Sequence, residues 1–273
     1  MAVTRREYIF SAFLLSILSV LLTVIAISSD SWIVSLARLQ NQIADSTIRY
    51  GMFRGELVLN NLATPSLSTL HMACVPDMDA CAVSCKTEPQ AREIEVRALA
   101  QGFRPTTACA PVTEVDESDP LDSAPVISFA LYLCTLLFLF LMLLFNLAAA
   151  GLAIVNATMN PTEPIFGLPG CLWSNVVAAC LGVVVMMIFG IYWTTSGLKE
   201  HLAFSYISVG PFEPTAGLGY SYWLLIGALL CSTTNVVLIQ VRAYLLERNP
   251  PTPTIKDMSR NEDAHPTMEI VSL

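Results

Sequence analysis

The stretch between positions 30 and 123 holds the residues best suited to chemistry, because it contains four of the eight cysteines. These are Cys74, Cys81, Cys85 and Cys109. Four thiols in an oxidising compartment form two disulfides, and three pairings are open, between which the spacing does not choose. Together with His71, three of the thiols could imitate a zinc site. Their spacing matches none of the tight zinc patterns, so two disulfides are the favoured prediction.

Catalytic chemistry is not indicated elsewhere in the chain. The three histidines, His71, His201 and His265, show no arrangement with a serine or cysteine and an acid that would suggest a triad. The glycines of Gly217-Leu218-Gly219 introduce an apolar run rather than a phosphate-binding loop. The sequence has no nucleotide, haem or catalytic-metal motif. We therefore predict no enzymatic activity, no catalytic residue, no metal and no cofactor.

Four long apolar stretches must position these residues, at about 8–29, 124–155, 168–198 and 220–241. A helix rises about 1.5 Å per residue, so about 20 residues span a hydrocarbon core of about 30 Å. Hydrophobic residues make up 54% of the chain and charged residues 13%, whereas soluble domains have about 25% charged residues. We predict an all-α membrane protein: a four-helix transmembrane bundle with a small disulfide-stabilised β-rich extracellular loop.

Basic residues near the ends of the apolar stretches predict the orientation. Arg5 and Arg6 precede the first stretch, and Arg242 and Arg248 follow the last. Because such residues stay cytoplasmic, both termini are predicted inside, in a multi-pass plasma-membrane protein delivered through the secretory pathway. The predicted segments are a cytoplasmic N-terminus (1–7), TM1 (8–29), extracellular loop 1 (30–123), TM2 (124–155), a cytoplasmic turn (156–167), TM3 (168–197), extracellular loop 2 (198–219), TM4 (220–242) and a disordered cytoplasmic tail (243–273).

The first stretch has an alternative interpretation as a signal peptide. It follows two arginines, and Ala26 and Ser28 imitate a cleavage site. Its apolar run of about 22 residues is longer than the 7–15 residues of a signal core, which favours a retained helix. A mature amino terminus at Ser29 would decide for cleavage.

The composition of the apolar stretches predicts helix packing rather than passage of a solute. Small residues recur four positions apart, which lets helix backbones approach closely in lipid; these are Ala178, Gly182, Gly227 and Cys231. The amides at depth should form interhelical hydrogen bonds; they are Asn146, Asn175, Asn235 and Gln240. No Asp, Glu, Lys or Arg lies at depth, which argues against a small transporter.

Two features of the predicted cytoplasmic side are candidates for modification or binding. Cys171, near the inner face, is a candidate for palmitoylation. The chain ends in Val271, Ser272 and Leu273. A hydrophobic last residue, with another two positions earlier, can add as a strand to a PDZ domain, so these residues are a candidate ligand for a PDZ scaffold.

Several short motifs carry a resemblance to a known family. Trp32 follows the first stretch, and the hexapeptide Tyr50-Gly51-Met52-Phe53-Arg54-Gly55 follows in the same outer loop. This pair is similar to the tryptophan and Gly-Leu-Trp-like turn of claudin-like tetraspan proteins. The hexapeptide resembles still more closely the Tyr-Gly-Leu-Phe-His/Arg-Gly run of the clarins, and residues 167–175, 198–203 and 220–223 also look similar to clarin segments. The chain therefore resembles a divergent clarin, although it lacks two loop cysteines and a loop glycosylation site that clarins usually carry.

The resemblance implies a function as well as an architecture. Clarins are organisers of the plasma membrane in sensory cells, where they help to maintain mechanosensory protrusions and synapses and connect to the actin cortex. It therefore implies a non-enzymatic scaffold that contacts membrane lipids and other membrane proteins, including a channel or adhesion complex. The net charge of −8 is not typical of nucleic-acid binding. Two alternatives stay open: a claudin-like adhesion or barrier protein, and an auxiliary subunit of an ion channel or receptor.

Overall fold

Four long helices and an antiparallel sheet dominate the computed structural model, which describes residues 2–39, 46–60, 65–105, 109, 115–116, 124–158, 165–196, 198 and 212–248. The helices are α1 (Ala2–Ser28), α2 (Pro89–Ala100), α3 (Phe129–Thr158), α4 (Leu168–Thr195) and α5 (Tyr220–Arg248). All but α2 contain a stretch of 21 to 30 residues with a mean hydropathy between 2.0 and 2.6, long and apolar enough to cross a bilayer. These four stretches fit a multi-pass membrane protein.

The four long helices pack in a ring, in which α1 and α4 each contact both α3 and α5. Their inward faces bury apolar side chains such as Leu139, Val185 and Leu225, none of which has exposed surface. Their outward faces carry large apolar side chains, among them Leu144 and Val237, that are more than half exposed. A helix that is apolar on all sides suits a lipid surrounding, because both faces then avoid water.

A six-stranded antiparallel sheet sits at one end of the bundle, with the strand order β5-β4-β3-β2-β1-β8. Its strands are β1 (Ile33–Leu39), β2 (Ser46–Tyr50), β3 (Arg54–Leu59), β4 (Ser66–Val75), β5 (Ala80–Ser84) and β8 (Phe212–Leu218). A separate two-stranded ribbon joins β6 (Arg104–Pro105) to β7 (Val115–Asp116). We call the six-stranded sheet together with α2 the cap.

The two faces of the sheet differ because successive side chains of a strand point to opposite sides. On the inner face, Ile33, Ile48 and Leu57 are buried and join the same hydrophobic core as the upper part of the bundle. On the outer face, Leu36 and Leu67 are 42% and 66% exposed. The sheet therefore rests on the bundle with one face and leaves much of the other open.

The predicted all-α fold class is wrong, because the cap is a sheet of six strands and not a small appendage of a helical protein. Its size has a physical reason. The strands can bury one face against the end of the bundle, and the segment between α1 and α3 supplies five of them. The segment between α4 and α5 supplies β8, which pairs with β1 from Ile33 opposite Leu218 to Leu39 opposite Phe212.

Candidate functional site

The indole of Trp32 anchors the cap to the bundle. Trp32 is 1% exposed, and its Nε1 donates a hydrogen bond of 2.6 Å to the carbonyl of Ala26 near the end of α1. Its ring meets Phe189 of α4 and Tyr222 of α5 edge-on, with centroid separations of 5.2 and 6.2 Å. An indole is buried most favourably when its N–H has a partner. Trp32 therefore ties the beginning of β1 to three helices.

The hexapeptide forms the turn between β2 and β3. The backbone nitrogen of Gly51 donates a hydrogen bond of 2.7 Å to the carbonyl of Arg54. A Cβ atom on Gly51 would overlap the carbonyl oxygen of Ser29, just beyond α1, and one on Gly55 would overlap the end of β2. Glycine is needed for such close backbone approaches. Gly51 thus allows the turn to lie directly against the end of α1, and Gly55 allows the turn itself to be tight.

The other side chains of the hexapeptide divide between burial and exposure. Tyr50 and Met52 are each 3% exposed, and burial raises the pKa of Tyr50 above its ordinary range. The carbonyl of Met52 accepts a hydrogen bond of 2.8 Å from the hydroxyl of Tyr132, near the beginning of α3. Phe53, by contrast, is 43% exposed, and Arg54 is exposed too. These two residues are available for contact with lipid or a partner.

Asp79 connects the cap to the beginning of α3. It lies in the turn after β4 with a φ of 47°, a left-handed conformation that aspartate tolerates better than most residues. Its carboxylate accepts hydrogen bonds from the nitrogen of Ala130 at 3.0 Å and the hydroxyl of Ser128 at 2.8 Å. These bonds, that of Ala130 first, hold the pKa of Asp79 below its ordinary range. An anion at this position also suits the positive end of the helix dipole.

Further hydrogen bonds join α4 to the segment just before α3, which pairs with β5 through Ile127, and join the start of α5 to the start of β1. The hydroxyl of Tyr192 in α4 accepts a hydrogen bond of 3.2 Å from the nitrogen of Ser128 and donates one of 3.0 Å to the carbonyl of Val126. The nitrogen of Gly219, just before α5, donates one of 2.8 Å to the carbonyl of Trp32. Together with the contacts of Trp32 and Asp79, these bonds make a junction that involves all four long helices.

The structure pairs Cys74 with Cys81 and Cys85 with Cys109, and so selects one of the three open pairings. The first disulfide connects β4 to β5 across a sequence separation of 7 residues. The second closes a separation of 24 residues that contains α2. The second disulfide therefore limits how far α2 can move from the sheet.

Helix α2 covers the outer face of β4 and β5 and carries a buried acid. Val96 and Leu99 pack against Val75 and small residues of β5. Glu95 has no exposed surface and accepts a hydrogen bond from the hydroxyl of Ser84. Burial raises the pKa of Glu95, although the bond from Ser84 and the charge of Lys86 act in the opposite direction.

A layer of polar side chains crosses the interior of the bundle. Asn146 of α3 donates a hydrogen bond of 3.4 Å to Thr23 of α1 and accepts one of 3.2 Å from Ser232 of α5. Ser232 in turn lies 3.3 Å from the hydroxyl of Ser19 in α1. All four side chains are 1% exposed or less. Hydrogen bonds between helices stabilise association in lipid, where unpaired polar groups are costly.

A second group in this layer brings in α4. The amide nitrogen of Asn235 donates to the hydroxyl of Ser16 at 2.9 Å and to the amide oxygen of Asn175 at 3.2 Å. The two amides belong to α5 and α4, and both are buried. Gln240, the fourth amide named from the sequence, is exposed and lies outside this layer.

The small residues named from the sequence lie in helix contacts. Ala178 has no exposed surface, and a Cβ atom on Gly182 would lie 3.2 Å from the terminal carbon of Met142 in α3. One on Gly227 would lie 3.1 Å from Leu22 in α1, and Cys231, one turn further along α5, is 8% exposed. Gly182 therefore faces α3, and Gly227 faces α1.

The structure describes one of the two candidates on the predicted cytoplasmic side. Cys171 is 3% exposed, and its thiol lies 3.7 Å from the carbonyl of Ala149 in α3. Attaching a palmitoyl group there would require α3 and α4 to separate. The three C-terminal residues, Val271, Ser272 and Leu273, lie outside the described part of the chain.

No family model matches this chain. Among characterised proteins, human Clarin-3 is 29% identical over 110 residues, which cover 40% of this chain and 49% of Clarin-3. This match supports a divergent member of the clarin family. The chain matches about half of the relative's length, so the similarity to Clarin-3 is partial.

The resemblance to clarins identified some residues of the junction but missed others. Trp32 and the hexapeptide were named from the sequence, and both lie at the junction. Asp79, Tyr132 and Tyr192 were not. A weak signal existed for Asp79, since an aspartate soon after proline in Pro76-Asp77-Met78-Asp79 is typical of a turn.

Proposed function

We propose that this protein is a non-enzymatic organiser of the plasma membrane, of clarin type, that presents its cap to partners outside the cell. The observation that carries the proposal is the junction, in which Trp32, Met52, Asp79 and Gly219 bind the cap to the helices. A sheet attached in this way moves with the bundle. Such an arrangement suits a scaffold, which must hold an outer surface in a defined relation to neighbours in the membrane.

The interior of the bundle supports a structural function rather than transport. The spans Tyr8–Ser28, Phe129–Thr158 and Leu168–Thr195 contain no Asp, Glu, Lys or Arg. Their buried polar groups, such as Asn146 and Asn175, are engaged in bonds between helices. Intramembrane charges usually mark ion pathways and proton relays, so their absence from these spans favours a scaffold.

The cellular setting of the proposal rests on the clarin similarity and on charge. Arg5, Arg6, Arg242 and Arg248 belong to the end of the bundle opposite the cap, which favours a cytoplasmic location for that end. The cap would then be extracellular, where disulfides persist. By analogy with clarins, we propose a role in mechanosensory cells and a connection to the actin cortex.

Proximity labelling in native sensory tissue tests this function. Peroxidase fusions in the cap and after the last helix should label two different sets of neighbours, one extracellular and one including cortical actin proteins. A tetraspan of another family, expressed in the same cells, is the control. Labelling equal to that of the control would contradict the scaffold function, and dominant recovery of a pore-forming protein would favour an auxiliary subunit instead.

A PDZ scaffold is the partner we propose for the C-terminus. Leu273 would fill the hydrophobic pocket, and Val271 would contact the groove two residues earlier. Leu273→Ala should abolish capture of PDZ proteins by a peptide of the last ten residues, whereas a change at Ser272 to threonine should not. Recovery of the same scaffolds by the Leu273 variant would exclude this contact.

Claudin-like adhesion is a second candidate, favoured by the outer face of the sheet. Leu36, Val58 and Leu67 lie in one register row across β1, β3 and β4, with Thr47 of β2 between the first two. Leu36 and Leu67 are both well exposed. Exposed apolar rows often mark protein contacts. Cells that express the protein should then aggregate, and the double change Leu36→Ser and Leu67→Ser should prevent aggregation. Equal aggregation of cells with the wild type and cells with the double variant would exclude this surface.

A further inference from the structure

The outward face of α5 carries polar side chains at membrane depth. Thr233 and Gln240 are both exposed, and they follow Trp223 by 10 and 17 residues. At a rise of about 1.5 Å per residue, these separations correspond to about 15 and 25 Å along the helix. Trp223 is 54% exposed near the cap end, where an amphipathic aromatic ring marks one membrane interface. Because the hydrocarbon core is about 30 Å thick, both polar residues lie at hydrocarbon depth, and Thr233 is near the middle.

The outward faces of the other three long helices are apolar at this depth. In the part of the chain that the structure describes, the exposed serine and threonine residues of α1, α3 and α4 lie only near the ends of the apolar spans. They are Ser11, Ser28, Thr158, Thr194 and Thr195. Exposure itself therefore does not distinguish α5 from its neighbours, but the exposed polar groups in the middle of its span do.

The outward residues of α5 repeat at alternating intervals of three and four. They are Trp223, Ile226, Leu230, Thr233, Val237, Gln240 and Tyr244. All are exposed except Ile226, which is partly buried. This repeat matches the seam of two helices that pack side by side with a left-handed crossing, as most helices in membranes do. Polar residues at single seam positions fix the register of such pairs, and Thr233 and Gln240 stand one heptad apart.

The amide of Gln240 has no partner within the described residues, because its side chain makes no hydrogen bond to them. The hydroxyl of Thr233, by contrast, donates a hydrogen bond of 2.9 Å to the carbonyl of Leu229 in its own helix. An unpaired polar group is costly in hydrocarbon. An amide has both donors and an acceptor, so two glutamine side chains are complementary to each other. Copies of one chain in a membrane share orientation and depth, so Gln240 of one copy can meet Gln240 of another.

We infer that two copies of this chain associate side by side through the outward faces of α5, with the Gln240 amides of the two copies hydrogen-bonded to each other. An acyl chain would not satisfy these amides, since it has no hydrogen-bonding group. The helix α3 lies across the ring from α5, so its outward face stays free in such a pair. The contact is also separate from the outer face of the sheet, so it does not depend on the function proposed above.

Disulfide crosslinking in the membranes of expressing cells tests the position of this contact. The full-length protein is used with the exposed cysteines Cys134 and Cys180 changed to alanine. Val237→Cys, between the two polar positions of α5, should give a covalent dimer on oxidation. Leu147→Cys on α3 is the matched control, since Leu147 is 51% exposed and Val237 is 56% exposed. Equal crosslinking at the two positions would overturn the inference.

A second measurement tests the amide itself. Energy transfer between donor-labelled and acceptor-labelled copies, followed against their density in the membrane, gives the dissociation constant of the pair. Gln240→Leu should raise this constant about fivefold, which corresponds to about 1 kcal/mol for an interhelical hydrogen bond. Thr195→Val, which removes an exposed hydroxyl from α4, should leave it unchanged. An unchanged constant for Gln240→Leu, a wild type that stays monomeric at every density, or crosslinking of Val237→Cys only to a different membrane protein would each overturn the inference.

Discussion

The carboxylate of Asp79, in the turn between β4 and β5, lies 3.0 Å from the backbone nitrogen of Ala130 in the first turn of α3. A residue of the segment between α1 and α3 thus binds the first turn of a long apolar helix, although 51 residues separate the two in sequence. This bond makes the folding of the cap and the position of α3 depend on each other. Changes in the cap should therefore be detectable in the bundle.

Acidification should weaken the hydrogen bonds that Asp79 accepts from Ala130 and Ser128. Hydrogen bonds hold the pKa of Asp79 below its ordinary range, so its stabilising effect is complete above the unfolded pKa of about 3.9 and disappears as the pH falls through the folded value. Asp79→Asn keeps one acceptor oxygen for the nitrogen of Ala130 and does not titrate, so the variant should lack this acid-induced loss. The measurement is the difference in melting temperature between wild type and variant from pH 7 to pH 3. A constant difference would contradict the linkage.

Glu95 should show the opposite dependence on pH. Burial raises its pKa, so the stability it contributes is complete below the unfolded pKa of about 4.3 and is lost as the pH rises through the folded value. Glu95→Gln should therefore stabilise the packing of α2 at pH 7 relative to wild type and remove the dependence. Limited proteolysis of α2 between pH 4 and pH 7 measures this, with Glu93→Gln on the exposed side as the control. Faster cleavage of the Glu95→Gln variant than of the wild type at pH 7 would contradict the prediction that the buried charge of Glu95 weakens the packing of α2.

Loss of the Trp32 indole should detach the cap. Trp32→Ala removes a fully packed ring and should cost about 3–5 kcal/mol, whereas Trp32→Phe mainly removes the bond to Ala26 and should cost about 1–2 kcal/mol. Melting temperature and surface delivery measure the effect. Trp173→Ala is the matched control, because Trp173 is 65% exposed. Equal decreases in melting temperature for Trp32→Ala and Trp173→Ala would show that Trp32 does not hold the cap on the bundle.

The disulfide between Cys85 and Cys109 should matter more than the one between Cys74 and Cys81. It closes 24 residues rather than 7, and a longer closed loop restricts the unfolded chain more, here by a difference of about 1 kcal/mol. Cys85→Ser should therefore lower the melting temperature further than Cys74→Ser and expose α2 to protease. Peptide mapping without reduction checks the pairing; free thiols at these positions in surface protein would refute it.

A larger side chain at Gly182 should disturb the contact between α3 and α4. Its Cβ would lie 3.2 and 3.4 Å from atoms of Met142, so Gly182→Leu should cost about 1–3 kcal/mol through overpacking. Gly151→Leu is the control, because no atom lies within 4 Å of a Cβ there. Unfolding in mixed detergent compares the two variants. If the Gly182→Leu variant is as stable as the Gly151→Leu control, the side chain of Met142 can move aside and the helices are not tightly packed at this position.

The sequence alone determined the membrane character of this protein. The hydropathy of a stretch of 21 to 30 residues is a property of its own composition. Four such apolar stretches indicate a membrane protein without any knowledge of which segments they contact. The need for glycine at position 51, by contrast, became visible only in the tertiary structure, because a Cβ atom there would overlap the carbonyl oxygen of Ser29.

Tertiary structure decided what depends on distant partners. Three contacts join segments that are far apart in sequence. They are the disulfide between Cys85 and Cys109, the pairing of β8 with β1, and the hydrogen bond from Ala130 of α3 to Asp79. The local sequence pattern does not show with which of several similar distant segments a strand, a cysteine or a helix end will pair. The all-α prediction failed for this reason: each strand is short and ambiguous alone, and the sheet becomes stable only when six of them share the end of the bundle as a common core.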